Sequence, residues 1–455
     1  MKVAQPKIDY INKTAFDLVE KVKDLENKAV LKNDNSILEG SLKHKEFIDW
    51  TDKLIDSPIR TSSTLITGEK VDIKECYKNK CYGFDEEAYK SFKKFLDVVN
   101  SIKSINSCIS YEFLHEKAIY WIFKTYNDKQ AQTEFWVYLI DEINDAIKEY
   151  KIYFPILYLE IISPFKIGNV NFEYFSKELL DDWSNRLVLE NPDIKDNHIE
   201  LFIRKEFQGQ VFASFTVKAE YRRARELAFE ECALCIDVLK MCSLTTVVPN
   251  YKLSFDIDCR TNENLKNQVI IQEPKQPYNL HLDMYRIPNE YKITRKEWED
   301  LQGKGLYGFH LFLLEKDKTD CELSNLIINS IKLYAQAIST EDLHKRIVDL
   351  FTIYESLLLK DENVGIIENV CRYASKLVFE KVEDRKYLID LIKEMYQVRS
   401  AVVHHAKKKQ FDMEKLFRLQ LSIVILLNNL IKKLPLHQTK KSLLDEIDYE
   451  IMKAY

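Results

Sequence analysis

From about residue 325 onward the apolar positions recur at helical spacing. Leu343, Ile347, Leu350, Phe351, Tyr354, Leu357 and Leu358 form a broad stripe along one helix. A second helix carries Ile367, Val370, Cys371, Ala374, Leu377 and Val378, and a third carries Leu388, Leu391, Ile392, Met395, Val398 and Val402. A fourth runs from about Phe411 to Leu434 and is closed by Pro435. Ser339-Thr340-Glu341-Asp342 resembles a capping box ahead of the first of these. Amphipathic helices joined by short polar loops pack as a bundle.

Upstream the period changes. Tyr251, Leu253, Phe255 and Ile257 alternate with Lys252, Ser254, Asp256 and Asp258, the pattern of a half-buried strand. QVFASFTV, LHLDMYRI and FHLFLLE also read as strands, with Pro249, Pro274, Pro277 and Pro288 marking loops and strand ends. One long helix, about 219–243, interrupts them. Residues 1–150 read as mostly helical, with segments around 8–30, 43–56, 85–105 and 131–150, and ITGEKVDIKECYKNKCYG as a less regular loop. The expected fold is mainly α with a mixed α/β middle region and a C-terminal helical bundle. Its three parts are 1–150, 151–325 and 326–455.

Gly303, Gly305 and Gly308 spell G-x-G-x-x-G. A dinucleotide site needs a strand before and a helix after this motif. Here helical KEWEDLQ precedes and strand-like FHLFLLE follows, so a turn is expected.

Composition narrows the class. With 46% hydrophobic and 31% charged residues the chain is not mainly disordered, and only 9 glycines favour long helices. The net charge of −5 means that contact with a polyanion must come from a local basic patch. The start, MKVAQPKIDYINK, lacks the apolar core of a secretory signal. Gln420, Ser422, Asn428 and Asn429 interrupt the most apolar run, Leu419 to Ile431, which falls short of the roughly 20 apolar residues of a membrane span. A soluble, cytoplasmic protein with no membrane partner is expected. Cys232 and Cys235 make a C-x-x-C, but with Cys242 they share one helix face, and no second Cys or His pair follows at zinc spacing. A buried structural role is expected for them.

The chemistry concentrates in YQVRSAVVHHAKKK, on the third helix. Arg399 lies four residues after Met395, inside the apolar stripe, where an arginine is costly unless paired. Glu355, at the edge of the first helix's stripe, is one candidate partner. Such a pair could simply fix the register of the bundle, or Arg399 could hold a ligand phosphate with its planar fork. His404 and His405 follow, then Lys407, Lys408 and Lys409. An imidazole, with a reference pKa of about 6.5, exchanges protons near neutrality. Lysines attract a polyanion regardless of sequence and also suit the carbonyl end of a helix. On an ideal helix His404 is rotated by roughly 140° from Arg399. Either the helix loosens after Val403, or a second subunit completes the site. No acidic cluster or H-E-x-x-H suggests a metal, and no metal or cofactor is expected.

These residues carry a resemblance. Arg399-x4-His404 within a helical bundle is similar to the signature of the HEPN superfamily. The string Tyr396-Gln397-Val398-Arg399-Ser400, then Val403-His404, resembles its Apea-like branch, as do Tyr354-Glu355-Ser356-Leu357-Leu358 and Arg372-Tyr373-Ala374. Where that branch carries Gly after the histidine, this chain has His405. The resemblance covers about the last 130 residues. It implies RNA endonucleolysis without metal by a homodimer, leaving 2′,3′-cyclic phosphate ends. His404 would act as general base or acid, Arg399 would stabilise phosphoryl charge, Glu355 would orient Arg399 or His404, and Ser400 would be a secondary polar contact. Lys407, Lys408, Lys409 and His405 would bind RNA. The implied setting is a toxin in bacterial anti-phage defence, its upstream residues answering a regulatory protein or a phage-derived trigger. The alternative is a non-catalytic HEPN-like dimer that scaffolds RNA or protein.

Overall fold

The computed structural model describes residues 3–25, 63–64, 70–77, 80–131, 133–182, 204–205, 207–243, 248–249, 253–257, 290–360 and 365–453. Its contacts divide the chain into two units, residues 1–151 with 216–227, and residues 152–215 with 228–455. The boundary expected near 325 therefore lies inside the second unit. The expected helix at 43–56, the strand LHLDMYRI, and Pro274, Pro277 and Pro288 lie outside the described residues.

In the first unit, α1 (Gln5–Val19) is followed by β1 (Lys23–Leu25), β2 (Ser63–Thr64), β3 (Lys70–Tyr77) and β4 (Lys80–Asp85). The helix expected over 8–30 thus ends at Val19. The stretch read as an irregular loop holds an antiparallel hairpin, with Tyr77 opposite Lys80, in a sheet of order β1-β4-β3-β2. Next come α2 (Glu86–Asn100), α3 (Lys103–Asn106), α4 (Tyr111–Asp128) and α5 (Phe135–Ala146). The Asp85 carboxylate caps α2 and the Ser110 hydroxyl caps α4. Phe84, Phe92, Leu96, Leu114, Ile122 and Phe135 are buried at the centre of this unit.

The chain continues through β5 (Lys148–Leu157), β6 (Leu159–Ile161), β7 (Phe165–Ile167), β8 (Val170–Tyr174) and β9 (Val211–Ala219), then α6 (Tyr221–Cys242) and β10 (Asp256–Ile257). These strands form a sheet of order β10-β5-β9-β8-β7, while β6 pairs in parallel with β11 (Tyr291–Ile293). The alternation expected after residue 250 holds in its described part: Leu253, Phe255 and Ile257 are buried. The strand itself is only the last two residues, 256–257. Cys232, Cys235 and Cys242 of α6 are buried, and loss of solvent pushes their thiols up, Cys242 to about 12.

Then α7 (Arg295–Gly303) and α8 (Leu306–Glu315) meet at the glycines. FHLFLLE is helical, not a strand: Leu306, Phe309, Phe312 and Leu313 are the buried positions, a helical spacing. The expected turn is confined to Lys304 and Gly305: Gly303 ends α7 and Gly308 lies inside α8. Gly305 sits at φ +94°, and a Cβ there would collide with Asn428, whose amide donates to the Lys304 carbonyl at 3.2 Å.

The rest is helical, as expected: α9 (Glu322–Ser339), α10 (Leu343–Leu358), α11 (Ile366–Val378), α12 (Val382–His405), α13 (Met413–Lys433) and α14 (Lys440–Lys453). The fold is mainly α with a mixed α/β middle region. Ser339 does not begin α10; it ends α9, and its hydroxyl bonds back to the Ala335 carbonyl. The cap of α10 is Asp342, whose carboxylate accepts from the His344 and Lys345 amides. Ile347, Leu350, Tyr354, Met395, Val398 and Ile423 are buried where α10, α12 and α13 meet. Inside this core Tyr354 keeps its hydroxyl paired with Ser422 at 2.7 Å.

Candidate functional site

The site begins with α10 and α12, whose apolar stripes face each other. Glu355 and Arg399 lie at the edge of that seam, and their side chains are 19% and 17% exposed. Arg399 Nη2 donates to Glu355 Oε2 at 3.3 Å and lies 3.2 Å from Oε1. The pairing is not a bidentate fork: Arg399 Nε and Glu355 Oε1 are both buried without a hydrogen bond. The guanidinium also sits 5.4 Å from the centre of the Tyr396 ring, which meets Phe351 edge-on at 5.3 Å. Glu355 is thus the partner that the buried position of Arg399 demands. Ser400 is half-buried beside it in sequence.

The helix does not loosen after Val403. It continues through His405 and ends at Ala406, a left-handed residue at φ 50°. The Ala406 amide donates to the Val402 carbonyl at 3.1 Å, and the Lys407 amide to the Ala401 carbonyl at 3.0 Å. His404 and His405 are exposed, with ring centres 6.4 Å apart. A regular helix leaves Arg399 and His404 on different faces, so one chain brings together Arg399 and Glu355 but not Arg399 and His404.

The lysine loop folds back on the start of α10. Lys408 Nζ lies 3.0 Å from Asp342 Oδ2, and this contact, before the cap amides, holds the Asp342 carboxyl below the usual carboxylate range. Lys409 Nζ reaches Gln397 Oε1 on α12 at 2.9 Å, and its carbonyl lies 3.0 Å from His344 Nε2. His344 in turn meets Phe411 edge-to-face at 5.2 Å. Lys407 is exposed. Sequence reasoning found the lysines but not their ties to Asp342, His344, Gln397 and Phe411. The only local signal was the cap residue Asp342, which the capping-box reading assigned to another role.

Among the described residues no group of three or more His, Cys, Asp or Glu side chains could hold a metal, and no helix is long and apolar enough to cross a membrane. No protein-family profile, no curated protein and no solved structure matches the chain.

Proposed function

We propose that the α10–α13 bundle is the ribonuclease part of a HEPN-type toxin that cuts RNA without metal. The observation that carries this reading is Arg399. It is a half-buried guanidinium held by one carboxylate contact, on the helix that ends in exposed His404, His405 and a lysine loop. In the reaction the ribose 2′ oxygen bonds to the adjacent phosphorus as the bond from phosphorus to the 5′ oxygen breaks. A base takes the 2′ proton and an acid supplies one to the leaving 5′ oxygen. His404 fills one of these roles beside Arg399 of a second subunit, and a water molecule fills the other. Arg399 stabilises the charge growing on the phosphoryl oxygens, with Glu355 holding the guanidinium and Ser400 as a secondary polar contact. Lys407, Lys408, Lys409 and His405 supply phosphate attraction.

Bacterial anti-phage defence in the cytoplasm is the setting this reading fits, with residues 1–325 answering a regulatory protein or a phage-derived trigger. A second reading has one specific observation in its favour. The Arg399–Glu355 contact bridges α10 and α12, and by itself it can lock their register in a non-catalytic scaffold.

Incubating the purified chain with total RNA and EDTA separates the two. The ribonuclease reading expects cleavage that leaves 2′,3′-cyclic phosphate and 5′-hydroxyl ends. That cleavage should fall by about 10²–10⁴-fold in His404→Ala, the range of general acid–base catalysis. Arg399→Lys should fail too, because a point charge does not replace the planar fork. Products with 3′-hydroxyl ends and an absolute need for Mg²⁺ would move the activity to another site. Intact RNA, with the variants and the parent chain alike in every respect, would leave the scaffold.

A further inference from the structure

Between the start of α10 and the lysine loop lies an open groove of about 620 Å³, lined by Asp342, Leu343, His344, Lys408 and Phe411 among others. Its components are those of a stacking platform. Phe411 and His344 supply two rings set edge-to-face at 81°, with Leu343 as an apolar neighbour. Lys408 stands at the margin with a side chain 68% exposed. The platform is fixed at three points: Lys408 on Asp342, the Lys409 carbonyl on His344, and the Lys409 side chain on Gln397 of α12.

The groove is also close to the histidines. Lys408 follows His404 by four positions, so their Cα atoms are at most about 14 Å apart. A single-stranded nucleic acid running along Lys407, Lys408 and Lys409 would carry its next few nucleotides past the two rings.

We propose that this groove is the subsite for an unpaired base of single-stranded RNA, an inference that rests on the ribonuclease reading above. Phe411 takes the face of the base, His344, set at right angles to it, borders the base's edge, and Lys407 and Lys408 take the flanking phosphates. Double-stranded RNA does not fit, because its bases are already stacked and paired. Preference among bases is weak, since every base has a π face.

The test uses the full chain carrying His404→Ala, so that RNA is bound but not cut. A short oligouridylate containing 4-thiouridine is irradiated in the complex and the attachment sites are mapped by mass spectrometry. Attachment is expected at His344 or Phe411. Binding of the same oligonucleotide, followed by fluorescence anisotropy, should weaken by about 5–150-fold in Phe411→Leu, the worth of one stacked base. Phe411→Tyr keeps a ring and should restore binding, which separates lost stacking from lost folding. A duplex competitor of equal length should compete poorly. Attachment elsewhere, with Phe411→Leu binding as tightly as its parent, would overturn the subsite while leaving the ribonuclease reading intact. Absence of both RNA binding and cleavage by the unsubstituted chain would remove the two together.

Discussion

Arg399 occupies a place where a hydrophobe would pack, between Met395 and Val402 on the stripe of α12. A guanidinium there needs a reason, and Glu355 supplies only half of one. One Nη2 contact leaves the Nε of Arg399 and one oxygen of Glu355 buried without a hydrogen bond, which is poor satisfaction for a pair meant only to stabilise. Removing one partner strands the other. Glu355→Gln and Arg399→Ala should therefore each destabilise the fold by about 1–3 kcal/mol, below the range for a fully buried pair because both side chains keep some exposure. Arg399→Met in a Glu355→Leu background should recover most of that loss, since an apolar pair of similar volume removes both desolvated charges. Urea denaturation of the four proteins measures it. If every single variant lies within about 0.5 kcal/mol of the parent, the pair is a surface contact in energetic terms and the argument from burial collapses.

Four of the six helices of the C-terminal stretch, α10 to α13, were legible because each carries a 3.6-residue stripe, and their ends fall within a few residues of where the stripes begin and end. FHLFLLE was misread because it is almost wholly apolar, and such a run has no period to distinguish a helix from a strand. The β3–β4 hairpin escaped because its Lys and Glu residues break the alternation, and its pairing depends on two strands meeting. The Arg399–Glu355 pair was legible from a charge on an apolar stripe. The grip of Asp342 and His344 on the lysine loop was not, because nothing local joins residues more than 60 positions apart. The docking of α14 is of the same kind. Lys360 bonds both Asp445 and Asp448, Arg372 reaches Asp448 at 2.7 Å, Lys376 reaches Glu450 at 3.0 Å, and Lys433 and His437 both contact Glu446. Burial alone would raise the Asp448 carboxyl, but hydrogen bonds from Lys360 and Tyr373 and the nearby positive charges outweigh it and hold it low. Glu446 is held low chiefly by Lys433. A carboxylate depressed in the folded state stabilises fully above its unfolded value, and that stabilisation fades as pH falls through the folded value. The α14 contact should therefore weaken below about pH 4. Hydrogen exchange should show 440–453 losing protection before α10 and α12 do. Asp448→Asn should raise exchange there about 5-fold even at neutral pH, the effect of about 1 kcal/mol. Equal protection of α14 and α12 down to the acid transition would show that apolar packing of Leu443, Leu444 and Ile447, not the ion network, holds the helix.

At the scale of the whole molecule the unbroken course of α12 carries a consequence for assembly. Two ways of bringing Arg399 and His404 to one phosphate were open to the sequence: a helix that loosens after Val403, or a second chain. The hydrogen bonds at Val402 and Ala401 keep the turn intact through His405, which leaves the second. A two-fold axis passing near the end of α12 would set Arg399 of one chain against His404 of the other, giving two composite sites per dimer. The chain should therefore sediment as a dimer, and the decisive measurement is complementation. Arg399→Ala and His404→Ala chains, each inactive alone, are co-expressed with different tags. Random pairing makes half the dimers mixed, and each mixed dimer holds one composite site with both side chains out of the two, so about a quarter of the parent activity should return. A site built within one chain predicts none, since every chain in the mixture lacks one of the two groups. Recovery that scales with the purified mixed dimer, and vanishes when the two variants are combined on a single chain, would tie the chemistry to the interface. A monomer that cleaves RNA at full rate would sink the composite site and send the search for the missing acid or base back to His405, the next imidazole on the same helix.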